Sequence, residues 1–216
     1  MTTPRAYALF AHCFTCSKDS LEAFHVSREL AAQGIGVLRF DFTGLGSSGG
    51  DFAATNFSSN IADLIAAVDF LSKKSSAPKI LTGRSLGGTA ILAAAPRIPE
   101  ASAVVTIGAP CQPAHVRSLL GTLRAEFEAR GEAEVSLAGR KFKIPATISR
   151  RSRGPRRPRV DCRVEKSPIG TQIFGAASHP KSFVSLDDAD HLLRRKADCA
   201  FIAAVVSSWA RRYVAD

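Results

Sequence analysis

The chain has 216 residues, 45% of them hydrophobic and 22% charged, which fits one globular domain and excludes a polar chain with no core to bury. Its formal net charge is +10, but residues 140–166 set eleven Lys and Arg against only Asp161 and Glu165, so +9 lies in that one stretch. No apolar run approaches the roughly 20 residues needed to span a bilayer, and "MTTPRAYALFAHCF" lacks the basic-then-apolar layout of a secretory signal.

In chain order, "YALFAH" (7–12) is short, apolar and ends on a polar residue, as a buried strand does. "DSLEAFHVSRELAAQG" (19–34) carries apolar residues at helical spacing between an Asp/Ser start and the Gly34 stop. "GVLRFDF" (36–42) predicts the next strand, followed by the turn-rich "TGLGSSGGDF" and an amphipathic helix over 56–74. "KILTG" predicts a third strand, "GGTAILAAAPRI" a third helix and "ASAVVTIGAP" (101–110) a fourth strand. Strands alternating with helices give a mostly parallel, doubly wound sheet, an α/β architecture.

Beyond residue 110, "PAHVRSLLGTLRAEFEARG" reads as helical, and "AEVSLAGRKFKI" alternates on both sides of Ala138-Gly139, the pattern of a hairpin. The stretch 145–170 reads as an irregular basic segment within the one domain, 1–216. Its "SRRSRGPRRPR" has no aromatic and no helical or strand period, so it reads as a solvated loop rather than a nucleic-acid reading element. A short helix at "TQIFGAAS", a strand running into an acidic loop over 181–191 and a closing amphipathic helix complete the chain.

One stretch names a chemistry. Gly83-Arg84-Ser85-Leu86-Gly87 is G-x-S-x-G, set between a predicted strand and a predicted helix. The turn is too tight for a Cβ at either flank, and it pushes the Ser85 hydroxyl out at the carboxyl end of the sheet. The helix that follows aims free N–H groups and its positive dipole end at any developing oxyanion. Such a serine needs a base, and in this architecture the base is a His after the last strand. His191 in "VSLDDADHLL" stands there; His12 and His25 precede the serine, His115 opens a helix, and His179 comes before the last strand.

The elbow, the "FDFTGLGSSGG" turn and the terminal "DDADHLL" together resemble the α/β-hydrolase fold in a minimal form with little or no lid. "FAHCFTCSKD" is similar to a bacterial subgroup of small serine hydrolases, some of which carry a fused domain like osmotically inducible protein C that 216 residues leave no room for. The resemblance covers residues 6–144 and 171–213. It implies Ser85 as nucleophile, His191 as base, and the backbone N–H groups of Phe14 and Leu86 as the oxyanion hole. It further implies hydrolysis of carboxylic esters or related acyl bonds and names no substrate. The one helix and hairpin after the fourth strand leave room for a small lid only, so short-chain acyl esters are expected, in a cytoplasmic protein with no cofactor, no metal, no membrane and no specific nucleic-acid partner.

Three positions depart from that pattern. Position 84 is Arg where such elbows often have His; the slot faces away from the nucleophile, so tolerance is expected, although the charge wants a partner. Position 13 is Cys where the wider fold has Gly. The third departure is larger: the family places a strand just before the loop of the triad acid, and "RRSRGPRRPRVDC" cannot be a buried strand. Asp161, thirty residues before His191 in "VDCRV", is the expected acid, with Glu165 the alternative. Asp187, Asp188 and Asp190 lie close to His191 in sequence and read as loop-shaping residues.

Five cysteines at irregular spacing argue against a disulfide framework and fit a reducing compartment. Cys13 and Cys16 form a C-x-x-C that reads first as a structural loop beside the oxyanion hole. A thiol redox pair is the alternative, and a zinc site lacks a second close ligand pair. A catalytically weak or inactive scaffold, or a thiol redox protein using Cys13 and Cys16, are the competing functional readings.

Overall fold

The computed structural model describes residues 3–13, 16–110, 132–137, 140–145, 169–186, 189–191 and 193–214. Strand β1 (Ala6–Ala11) shows why the chain needs two helical layers, because its alternate side chains are buried on opposite faces. Ala6, Ala8 and Phe10 pack with Ala23, Val26 and Leu30 of helix α1 (Leu21–Ala32). Leu9 and Ala11 face the other way, against Leu64, Val68 and Ile91. Each such large side chain taken fully out of water contributes about 1.5–3 kcal/mol.

The remaining strands are β2 (Ile35–Phe40), β3 (Ile80–Arg84) and β4 (Ala103–Ile107), in the spatial order β2-β1-β3-β4 and all parallel. Ala11 lies opposite Gly83, and Arg84 opposite Ile107. The carboxyl ends of β1, β3 and β4 therefore finish at one edge, where His12, Ser85 and Gly108 leave the sheet. Helix α2 (Phe57–Lys74) is started by a reciprocal capping box between Asn56 and Ser59, and α3 (Leu86–Ala94) begins directly after Ser85. The predicted stop of α1 is Gly34, whose φ of +76° is open to glycine at little cost.

The predicted hairpin is present as β5 (Glu132–Leu137) paired antiparallel with β6 (Arg140–Pro145), Leu137 opposite Arg140. Among the described residues the stretch between β4 and helix α4 (Ile169–Ala176) contains this hairpin. The helix predicted over 113–131 lies outside the described residues. The closing helix is α5 (Lys196–Ala210), whose Ile202, Ala203 and Val206 complete the layer with α1.

One element differs from expectation. Residues 181–186 are not a strand. They line, together with β4, a cavity of about 880 Å³, and the two segments make no ladder with each other. A strand is held by hydrogen bonds to a neighbour, and the alternation in "KSFVSL" has none to grip among the described residues.

Candidate active site

Ser85 sits in a backbone conformation that only a built turn retains, with φ +50° and ψ −126°. Its N–H donates to the Ile107 carbonyl at 2.9 Å, and its own carbonyl accepts from Thr89 N–H at 3.2 Å, so sheet and helix both grip the residue. The flanking glycines are obligatory for contact reasons. A Cβ on Gly83 would stand 2.7 Å from the Gly87 carbonyl oxygen, and one on Gly87 only 2.3 Å from the His12 carbonyl oxygen. Leu86 opens α3, so its N–H belongs to the first turn, where helix geometry supplies no internal acceptor.

His191 reaches this serine from 106 residues further along the chain, its Nε2 3.2 Å from Ser85 Oγ. The loop that carries it is pinned by Leu193, a buried residue with φ +51° whose N–H donates to the Asp190 carbonyl at 2.9 Å. The thiol of buried Cys199 donates to the Leu193 carbonyl at 3.2 Å. Gly108, with φ +55°, lies beneath the imidazole: a Cβ there would come within 3.6 Å of Nδ1. Desolvation, and then the positive charge of Arg84, push the imidazole below its ordinary pKa, while Asp190 works in the opposite direction. A neutral imidazole beside an outward hydroxyl can accept a proton at neutral pH.

Arg84 has the partner that its charge is expected to want. It is 1% exposed, its Nη1 3.0 Å from Cys16 Sγ and 3.4 Å from Cys13 Sγ. The same nitrogen donates to Glu22 Oε1 at 2.9 Å, a fully buried ion pair. Nη2 donates to the main-chain carbonyl of His191. A guanidinium buried in this way must be paired, because an isolated charge in the core is prohibitively costly. Glu22 is the residue that sequence reasoning missed. Its signal was a carboxylate on the apolar side of α1, and nothing local tied it to an arginine 62 positions away.

Cys13 and Cys16 are joined by a disulfide, the pairing that the redox alternative for the C-x-x-C allows and the structural-loop reading does not foresee. The bond is local: the Cys16 N–H donates to the Cys13 carbonyl at 3.1 Å, and this turn brings the two Cα atoms to 5.3 Å, within bridging distance. The turn is anchored from below by His12, whose Nδ1 lies 2.6 Å from the Cys13 carbonyl oxygen. A carbonyl can only accept, so Nδ1 carries the proton. Asp41 holds the far end of the loop, accepting from the Lys18 N–H at 2.6 Å, the Lys18 ammonium at 2.8 Å and the Ser47 N–H at 2.9 Å. Burial opposes ionisation of Asp41, but these donors outweigh it and keep the carboxyl well below the usual carboxylate range. Gly46 (φ +55°) permits the approach, since a Cβ there would stand 2.3 Å from the Asp41 carboxyl.

The other expected site residues are not brought together by described geometry. Asp161, Glu165, Phe14, Asp187 and Asp188 lie outside the described residues. Asp190 turns toward Arg194, with Oδ2 3.4 Å from Nε. Among the described residues no group of three His, Cys, Asp or Glu side chains could hold a metal ion, and no helix is long and apolar enough to cross a membrane.

A strained serine at a strand–helix elbow, facing a histidine from the end of the chain, defines an α/β hydrolase. Residues 2–209 match the model of the serine aminopeptidase, S33, family, and the chain belongs to that family of hydrolases. It is 47% identical to the esterase domain of a Rhodothermus marinus protein over 99% of this chain and 89% of that one, with a TM-score of 0.70. Mouse alpha/beta hydrolase domain-containing protein 10 shares the fold at 22% identity over 98% and 91% of the two chains, with a TM-score of 0.72. No curated protein matches the chain.

Proposed function

We propose that this hydrolase is a serine esterase of small acyl esters, working through an acyl-enzyme on Ser85. The observation that carries the reading is the 3.2 Å approach of His191 Nε2 to the Ser85 hydroxyl at a strained elbow. In the proposed cycle Ser85 Oγ attacks the ester carbonyl as its proton passes to His191 Nε2. The oxyanion is met by the N–H of Leu86 and by that of Phe14. Collapse expels the alcohol, which takes the proton from His191, and water repeats the sequence to release the acid. Asp161 is the proposed partner of His191 Nδ1, with Glu165 the alternative. The cavity beside His191 is lined by Ile107, Ala109, Phe174, Phe183 and Leu186, an apolar wall suited to an acyl group. The similarity to an esterase domain favours esters over the peptides that the family description implies. We place the activity in the cytoplasm, with a small-molecule ester as the partner and no cofactor.

Turnover of p-nitrophenyl acetate and of aminoacyl p-nitroanilides by wild type and Ser85→Ala tests this reading. The expected result is rapid ester cleavage, little anilide cleavage, and loss of both in the folded variant. Ester turnover kept by Ser85→Ala contradicts the serine mechanism, and preferred anilide cleavage moves the substrate class to peptides. Feeble wild-type turnover would mean an incomplete triad.

A further inference from the structure

The esterase reading makes no use of the disulfide beside the elbow or of the buried arginine between it and the histidine. The Cys13–Cys16 bond encloses only two intervening residues, and a ring that small removes little chain entropy compared with a long loop, so stabilisation is a weak reason for it. Its surroundings are more specific than a staple requires. Both sulfurs lie within 3.4 Å of one guanidinium nitrogen, and the other terminal nitrogen of the same guanidinium donates to the carbonyl of His191.

We propose that Cys13–Cys16 is a thiol–disulfide exchange site whose state sets the position of His191 through Arg84, the positioning residue that touches both. This rests on His191 being the base of Ser85. Cys16 is half-buried and Cys13 buried, so a small-molecule dithiol attacks Cys16 Sγ. The S–S bond breaks and Cys13 leaves as a thiolate, favoured by the Arg84 cation beside it. The second thiol of the reductant then attacks its own sulfur in the mixed disulfide and releases Cys16. The reductant ends as a cyclic disulfide, and its two protons and two electrons end on the two cysteines.

The mechanical consequence follows from the rigidity of the guanidinium. Two thiols cannot occupy the separation of a bonded pair, so reduction demands space where Cys13 is packed and Arg84 Nη1 is the neighbour. The guanidinium is planar, and a shift of Nη1 carries Nη2 with it. Arg84 backbone is fixed by its register with Ile107, and Glu22 is held by Ser20 Oγ at 2.8 Å, so the shift falls on the contact to His191. A misplacement of the base on the scale of an ångström lowers kcat rather than substrate binding.

The test compares the oxidised protein with the dithiothreitol-reduced one by counting alkylated thiols, by ester kinetics and by the NMR resonances of the His191 ring. Reduction is expected to expose two new thiols, at Cys13 and Cys16, to shift the His191 signals, and to lower kcat by about tenfold with KM little changed. Cys13→Ser/Cys16→Ser should have the reduced-like rate and ignore the reductant. Arg84→Lys, which keeps the charge but cannot span the same three partners, should lose the dependence while the two thiols still appear. If the serine pair does not fold, Cys13→Ala/Cys16→Ala serves in its place. Two new thiols with unchanged kcat and unchanged His191 signals overturn the proposal, as does dependence on reductant that survives in the cysteine-free pair. A His191 signal that follows the redox state in a protein without esterase turnover overturns the serine esterase reading while retaining the coupling.

Discussion

The two halves of this molecule hold their functional residues by different means. Up to β4, the strands on the way to Ser85 are fixed by parallel ladders, and the elbow by glycines whose added Cβ would meet main-chain atoms. Beyond β4 the described chain returns with α4, runs past β4 without pairing, and secures His191 through Leu193, Cys199 and the Arg84 contact. Half of the site is thus built by backbone geometry and half by side chains at a few points. Substitutions of the glycines that shape the first half should act on folding, and those of the side chains that hold His191 in the second on rate.

The sharpest test of that division is His191→Ala. His191 is exposed as a residue and its side chain belongs to neither core cluster, so its loss should leave the fold intact and lower kcat on the order of 10⁶-fold, as loss of a triad base does. Next in size is Asp161→Asn, which should cost roughly 10⁴ in kcat by favouring the wrong imidazole tautomer. Glu165→Gln is the matched comparison: a small effect there with a large one at Asp161 assigns the acid, and the reverse moves the role to Glu165. In the first half, Gly87→Ala should destabilise the protein by about 3 kcal/mol, because its Cβ meets main-chain atoms rather than yielding side chains. Urea unfolding measures this, and an unchanged midpoint would break the contrast between the halves.

The smallest effects are on pH profiles. Among the described residues the groups facing His191 are Ser85, Arg84 and Asp190. With the imidazole pKa lowered, the neutral base persists to lower pH, so kcat/KM should rise through a midpoint below the ordinary value of about 6.5. Removing the buried charge pair with Arg84→Gln/Glu22→Gln should move that midpoint upward. Asp41 bears on stability instead. Its folded pKa is depressed, so its contribution is complete above the unfolded value of about 4 and is lost as pH falls toward the folded one. Asp41→Asn should therefore weaken the protein at pH 7, and the gap from wild type should narrow below about pH 4.

Periodicity and punctuation made the first half legible from sequence. The short apolar run "YALFA", the Gly34 stop and the G-x-S-x-G elbow are local patterns with local physical causes, and each lies where the structure has it. His191 was legible by position in the chain. The Arg84–Glu22 pair was not, because it arises where β3 meets α1, which no spacing records, and the disulfide was legible only as a C-x-x-C whose pairing was the alternative reading. The strand predicted at the start of 181–191 misled because a strand-like stretch marks a segment able to pair and is silent on whether a neighbour is present.

The central claim is that Ser85 is a nucleophile activated by His191. Intact-mass and peptide analysis after treatment with a fluorophosphonate tests it most directly. A single adduct on the peptide carrying Ser85, formed by wild type and slowed by orders of magnitude in His191→Ala, is the predicted result. A folded wild-type protein that acquires no adduct at Ser85, or acquires it equally fast without His191, would contradict it.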